Sequence, residues 1–421
     1  MNNQTRNKVA MLGVNICFAV LNLFVKSFLA AQIYFLSGRN ITAVVFFILL
    51  DITGIIVFYA LSTWGAKKVN PVYIVQLSAL LACLFIVLTI VYESNLGELY
   101  FVFGALWGSI QGIYWGAANF ATGRAIDQSG LLGYYVWFHS LTTFASVLFP
   151  ITFGFAIDYA SFLITTISVF GIGLALVAFA LLLKLVPQPA QAMQYRTFFR
   201  DHPRGFGLLW LTTFFGGFAY SITYLVTILI LLVYGTNTHI GIFGTIFAIA
   251  AILYLFLYKW AKSSPFRKGG GAKRRGFFAT TIFWLSGTLP FLIAFALLFE
   301  INPLTIILFQ AGIALRNVVE TEYSNARLGY CQNANGGKHI AEALVTTEFG
   351  LYAGRLLSVG VLLAVGLLGG GQMLFAGAIV FVMLGTVLYA VTLFIYKNPR
   401  ANNCTLHKQT SQTRLTPPPP R

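Results

Sequence analysis

The chain has 421 residues, 58% of them hydrophobic and only 9% charged, with a net charge of +16. Soluble domains carry roughly 25% charged residues, so a water-soluble enzyme or binding domain is excluded. The four cysteines, Cys17, Cys83, Cys331 and Cys404, are scattered without a Cys-x2-Cys spacing and give neither a disulfide framework nor a thiolate metal site.

A membrane-crossing helix takes about 20 apolar residues. In chain order, twelve stretches meet that length: 9–30, 40–63, 72–91, 99–121, 133–155, 162–185, 206–233, 240–260, 277–299, 303–323, 342–366 and 373–396. Their apolar runs are unbroken, which makes them helices; barrel strands alternate. The first run is long and holds Asn15 and Asn22, so it is read as a retained helix and not as a leader. With the N-terminus inside, the basic residues fall on one side: Arg6 and Lys8, Lys67 and Lys68, Arg124, the 184–204 connection, the 259–275 connection, Arg327 and Lys338, and the tail, while the outside loops offer only Arg39. Lys and Arg resist translocation, so both termini are expected in the cytoplasm. The positive charge therefore reads as membrane topology, and no nucleic-acid partner is expected. Lys26, close to the outer surface, is read as snorkelling to it, without a role.

The expected fold is an all-α membrane protein of twelve transmembrane helices in two six-helix pseudo-repeats. A first half covers 1–186, a cytoplasmic linker 187–205, a second half 206–396, and a disordered polar tail 397–421. The halves echo each other faintly. Gly112-Ile113 in span four returns as Gly312-Ile313 in span ten, and Thr142-Thr143 in span five as Thr346-Thr347 in span eleven. Such repeats place a binding site between them, near the middle of the bilayer. Span four carries Gly104, Gly108, Gly112 and Gly116, which share one helix face. That face admits a second helix to backbone contact, either as a sliding surface or as static packing.

This pattern of spans, cytoplasmic ends and basic loops, over about residues 8–396, resembles the major facilitator superfamily of secondary transporters. The superfamily's Gly-x3-Asp-x2-Gly-Arg-Lys loop survives as Gly65-Ala66-Lys67-Lys68, with Phe58 and Ser62 in place of the first Gly and the Asp. The antiporter motif of span five is reduced to Phe149-Pro150-Ile151-Thr152-Phe153-Gly154. The segment Thr347–Arg355 is similar to one in poorly characterised bacterial members. The resemblance implies alternating access, with spans two and eleven facing each other across the joint.

Charges inside spans are costly and mark function by default. Asp51 sits mid-way along span two and Arg355 in span eleven. Either they pair as a latch between the halves, or each faces the cavity, Arg355 for an anion and Asp51 for a proton. Arg316 and Glu320 are four apart and share a face; Glu322, near the cytoplasmic end, reads as solvated. Glu348 lies two turns from Arg355. It is either the proton carrier or part of a fixed network with Arg316 and Glu320. A carboxylate separated from its cation takes up a proton more readily, which is what coupling requires. Gln111, Tyr114, Trp115, Asn119 and Gln310 are the expected cavity residues, as amides beside aromatic rings.

No Gly-x4-Gly-Lys-Ser/Thr occurs, so a P-loop does not drive the chain; no cofactor and no metal are expected. The expectation is a monomeric secondary active transporter of a small molecule in a bacterial cell membrane, proton-coupled. The Pro150 remnant favours export. A lipid-modifying enzyme would need Asp-x-Asp or a comparable acid pair, and a sensor or scaffold an added soluble domain; neither is visible.

Overall fold

The computed structural model describes residues 3–125, 128–184, 194–200, 205–220, 222–262, 271–333, 340–368 and 372–397. Among them the regular elements are all helical. The first pass is α1 (Asn3–Phe24), which runs through a π-helical turn (Val25–Leu29) into α2 (Ala30–Leu36). Then follow α3 (Ile41–Lys68), α4 (Pro71–Val91), α5 (Tyr100–Ala125), α6 (Gln128–Tyr159) and α7 (Phe162–Leu182). A short α8 (Tyr195–Arg200) precedes the second set. That set is α9 (Phe206–Tyr220) with α10 (Ile222–Tyr234), α11 (Asn237–Lys262), α12 (Gly271–Ala294) with α13 (Ala296–Phe299), α14 (Pro303–Leu315) with α15 (Asn317–Asn333), α16 (Ile340–Leu367) and α17 (Gln372–Lys397).

Ten of the described helical stretches are long and apolar enough to cross a membrane. Among the described residues, α5 and the α9–α10 pair pack with them, an arrangement consistent with twelve passes. The turns between passes are set locally. Asn40 and Asn70 accept from the backbone N–H of Thr42 and Val72, and Pro71 opens α4. Asn302 and Thr305 form a reciprocal capping box ahead of α14, with Pro303 in its first turn. These are the residues that start helices best, because they satisfy or delete otherwise orphaned N–H groups. Large apolar side chains at helical spacing stay exposed, as with Leu77, Leu80 and Leu84 on α4 and Leu253, Phe256 and Leu257 on α11. An exposed apolar belt of this extent is a surface made for lipid.

The glycine face of α5 lies against α3. A Cβ at Gly112 would stand 2.7 Å from the Ile55 carbonyl oxygen, and one at Gly116 2.9 Å from the Ser62 side chain. Gly104 meets Phe47 in the same way, and Gly108 meets the backbone of Asp51. Side chains would hold the two helices apart; without them the helices touch along their backbones. Ser62, which stands where the superfamily motif has Asp, donates to the Ile113 carbonyl at 2.8 Å and so ties α3 to α5.

Several helices run five or six residues beyond the expected spans, and the largest difference is at span ten. Span ten was expected to end near residue 323, but after a turn at Arg316 the helix continues to Asn333. Arg327, expected in a loop, is therefore helical. Polar α15 is held by cross-helix partners, which an apolar run-length does not register. The tail beyond Lys397 and most of the 187–205 linker lie outside the described residues.

Candidate functional site

A cavity of about 420 Å³ lies between the two sets of passes. Leu23, Lys26 and Ser27 of the first pass line it, with Thr142, Thr143, Ser146 and Pro150 of α6. The second set contributes Val226, Thr227 and Ile230 of α10, the α11 face from Ile240 to Leu255, and Gln310, Ile313 and Asn317 of the tenth pass. Its volume falls in the range of small-molecule sites, and its mixture of apolar wall and few polar groups is typical of them.

Lys26 is thus a cavity residue and does not snorkel to the surface. It sits in the π-helical turn Val25–Leu29, which carries its side chain into the interior. Such turns concentrate at functional sites. Gln310, 6% exposed, also lines the cavity, and no hydrogen bond joins its amide to another described residue.

The other four expected cavity residues are not in this lining. Gln111 is buried and donates its Nε2 to Asp51 Oδ1 at 2.5 Å. Tyr114 is buried, stacked on Phe18 at 3.6 Å between centroids, and donates to Asn15 Oδ1; Asn15 in turn donates to the Tyr134 hydroxyl. Trp115 packs edge-on against Tyr114. Asn119 is exposed and reaches the Tyr59 hydroxyl at 3.5 Å. The contact of α1 with α5 takes up the aromatic rings, and Asn15 ties Tyr134 of α6 to it.

Asp51 is 1% exposed, and its Oδ2 has no hydrogen-bond partner. Lys26 and Arg355 both act on it electrostatically. The hydrogen bond to the carboxylate, however, comes from Gln111. The Arg355 guanidinium lies over the Tyr352 ring, 4.9 Å from its centroid, and Tyr352 faces Tyr59 of α3 at 6.5 Å. These contacts join α3 to α16, the second and eleventh passes.

Glu348 does not join Arg316 and Glu320. It pairs with Arg327 at 2.7 Å, and Arg327 also donates Nε to Thr347 Oγ1 at 3.0 Å. Arg316 donates to the Ala219 carbonyl at 2.9 Å and stands 3.7 Å from Glu320. Glu322 is not solvated: it is 3% exposed and paired with both Lys262 and Lys397, clipping α15 to α11 and α17. Sequence reasoning missed Arg327, Glu342 and Asp158. Glu342 is buried and accepts from Gln194 N at 2.9 Å, ahead of α8. Beside it, burial and this carboxylate hold the Tyr195 phenol above its ordinary range. Phe198 of α8 is buried against Phe206 and Ala343, so α8 is docked on the second set. A carboxylate in the first turn of α16 was the available signal for Glu342.

The two sets close on each other where α6 ends and α11 begins. Asp158 accepts from Thr238 N at 2.6 Å and from Asn237 N and Nδ2 at 3.3 and 3.0 Å, capping α11 from the other set. Within a turn or so, Gly154 and Gly241 bring α6 and α11 to backbone contact, and a Cβ at Gly244 would stand 3.0 Å from Pro150 Cβ. Deeper in, Thr245 donates to the Val147 carbonyl at 2.7 Å. At the same end, a Cβ at Gly366 of α16 would lie 3.3 Å from Thr42 Oγ1 of α3. The cavity starts inside this seal, at Ile240 and Pro150, and extends towards Leu255 and Thr142. Among the described residues, no group of three His, Cys, Asp or Glu is placed to hold a metal ion.

No family model matches the chain, and no curated protein matches it in sequence. Solved structures do match it in shape. The POT family transporter PepTSo is 11% identical, with a TM-score of 0.69, covering 95% of this chain and 99% of its own. A bacterial homologue of the iron transporter ferroportin, in an outward-facing state, is 14% identical with a TM-score of 0.60, covering 94% and 99%. The nucleoside transporter NupG is 12% identical, also at 0.60, covering 94% and 99%. At such identities the likeness is one of fold, and it spans nearly the whole length of both partners. The chain is a multi-pass helical membrane protein with the fold of these transporters.

Proposed function

We propose that the chain is a secondary active transporter that moves a small molecule across the cell membrane by alternating access, with both termini in the cytoplasm. The observation that carries this reading is the cavity itself. It is lined from both sets of passes, lies among buried helices and is sealed at one end by contacts between the sets. A site at the joint of two rocking halves is the arrangement alternating access uses. The seal formed by Asp158 and Asn237 is the outer gate, so the cavity faces the cytoplasmic side in this state. The transporter fold of PepTSo, the ferroportin homologue and NupG supports the reading.

Proton coupling is the second part of the proposal. Asp51 is a buried carboxylate with a vacant acceptor oxygen, within electrostatic reach of two cations from different passes, Lys26 and Arg355. A proton on Oδ2 would remove the negative charge between them and loosen α3 from α16. The Glu348–Arg327 pair is the alternative coupling point. Export is the proposed direction, on the remnant of the span-five motif at Phe149–Gly154. The experiment is flux of a panel of labelled compounds in proteoliposomes, with and without a pH gradient. Gradient-dependent flux that disappears in Asp51→Asn is expected. Flux indifferent to the gradient, and equal in Asp51→Asn and Glu348→Gln, defeats the coupling.

A further inference from the structure

Two glutamines lie buried within passes of the bundle, and they are used differently. Gln111 on α5 is committed to the Asp51 carboxylate. Gln310 on α14, 6% exposed, lines the cavity and makes no hydrogen bond to a described residue. Thr227 on α10, which packs beside α14, shares this condition: it is 7% exposed, lies in the lining, and its hydroxyl has no described partner. From the other set of passes, the Ser27 and Thr143 hydroxyls line the cavity and are likewise without one. By contrast, Ser146 donates to the Thr142 carbonyl and Asn317 to the Ala314 carbonyl, each within its own stretch of chain. Buried polar groups are as a rule hydrogen-bonded, so a buried amide and hydroxyl facing a cavity without partners point to something that enters it. Lys26, the cation of this lining, is already engaged. The buried Asp51 carboxylate acts on it electrostatically, and the two opposite charges balance. The rest of the wall is apolar, with Ile230, Phe247, Ile252 and Leu255.

We propose that this cavity binds an uncharged solute with a carboxamide-type edge, an N–H donor beside a C=O acceptor, and an apolar body. A primary amide offers two donors and one carbonyl, as does Gln310. The two groups can pair head to head: Gln310 Nε2 donates to the ligand carbonyl, and a ligand N–H donates to Gln310 Oε1. The second ligand N–H is left for the Thr227 hydroxyl, or for Ser27 and Thr143 across the cavity. The apolar body rests on the α10–α11 wall. A carboxylate lacks the donor that Oε1 requires, and an ammonium lacks the acceptor that Nε2 requires. Either would also bring an unmatched charge into a low-dielectric site where Lys26 and Asp51 already balance. A site built on buried hydrogen-bonding groups rejects analogues that leave those groups unpaired. This deepens the transport reading and rests on it in one respect, in taking the occupant of the cavity to be the substrate.

The test is equilibrium binding to the purified full chain, which needs no transport. Four probes share one skeleton: 4-phenylbutyramide, its N,N-dimethyl derivative, 4-phenylbutyrate and 4-phenylbutylamine. The primary amide is expected to bind at least about tenfold more tightly than each of the others. Gln310→Met keeps the length of the side chain and removes its donors and its acceptor; the two amides should then bind alike. If Gln310→Met does not fold, Thr227→Val decides the matter, since it should narrow the same preference. The proposal is overturned if the acid, the amine or the dimethylamide binds as tightly as the primary amide. It is overturned as well if the primary amide does not bind up to the millimolar range, or if its preference is undiminished in the folded variant. A protein that binds the amide in this pattern yet carries no compound of the panel keeps the site and loses the transport reading. Gradient-driven flux of charged compounds, with no amide preference, does the reverse.

Discussion

Alanine at Gly108 separates two opposed effects that a glycine-rich membrane helix combines. Its methyl would stand 2.7 Å from both the Cα and the carbonyl carbon of Asp51, and closer still to that residue's oxygen. Carbon atoms rest at about 3.5–4.0 Å, and the atoms in the way are backbone, so no rotamer change relieves the contact. α3 and α5 must part by about 1 Å, and overpacking of this kind costs about 1–3 kcal/mol. The shift falls on the residue whose carboxylate accepts from Gln111 at 2.5 Å, so that hydrogen bond is lost with it. Gly171 on α7 is the internal control: nothing lies within 4 Å of a Cβ built there. Replacing a mid-helix glycine by alanine where space is open stabilises by about 0.5–1 kcal/mol. Denaturant unfolding in one detergent, followed by tryptophan fluorescence, should therefore move Gly108→Ala down and Gly171→Ala up. Equal behaviour of the two, or a Gly108→Ala as stable as wild type, refutes the argument that α5 meets α3 through its backbone.

Three further outcomes follow from the polar contacts. Asp158→Asn keeps the size of the α11 cap but loses its charge, at about 1 kcal/mol; thiol labelling of a cysteine introduced at Ile240 should become several-fold faster from the side where α6 ends. Glu322→Gln leaves Lys262 and Lys397 facing each other, but Lys262 is 56% exposed and can turn to solvent. The loss should be about 1–3 kcal/mol by thermal unfolding, below the 3–5 kcal/mol of a fully buried pair. Arg327→Lys keeps a cation near Glu348 but loses the planar fork that also reaches Thr347 and Leu344. It should destabilise by about 1–2 kcal/mol, and Arg327→Gln by more, since Glu348 is only 14% exposed.

What the sequence revealed, and what it hid, divides by physical cause. A twenty-residue apolar run has few stable states in lipid other than a helix, so the passes were readable from composition alone. The i,i+4 spacing of Arg316 and Glu320 was readable as well, because one helix supplies both partners. Pairs between helices were not. Glu348 finds Arg327, and Glu322 finds Lys262 and Lys397, only once α11, α15, α16 and α17 are packed. Lys26 was misplaced because a hydropathy profile gives depth but not direction, and its direction depends on the π-helical turn. Tyr114 and Trp115 went to helix packing instead of the cavity wall for a related reason: aromatic rings in a span are as useful between helices as around a ligand.

The most direct test of alternating access about this cavity is a cross-link at the sealed end. Thr42→Cys with Gly366→Cys joins α3 to α16, where a Cβ at 366 lies 3.3 Å from the Thr42 hydroxyl. Oxidised, the pair should stop proteoliposome flux of any compound the unlinked protein carries, and a reducing agent should restore it. Undiminished flux through the fully cross-linked protein would mean that this end never has to open, and the rocking of the two halves would be contradicted.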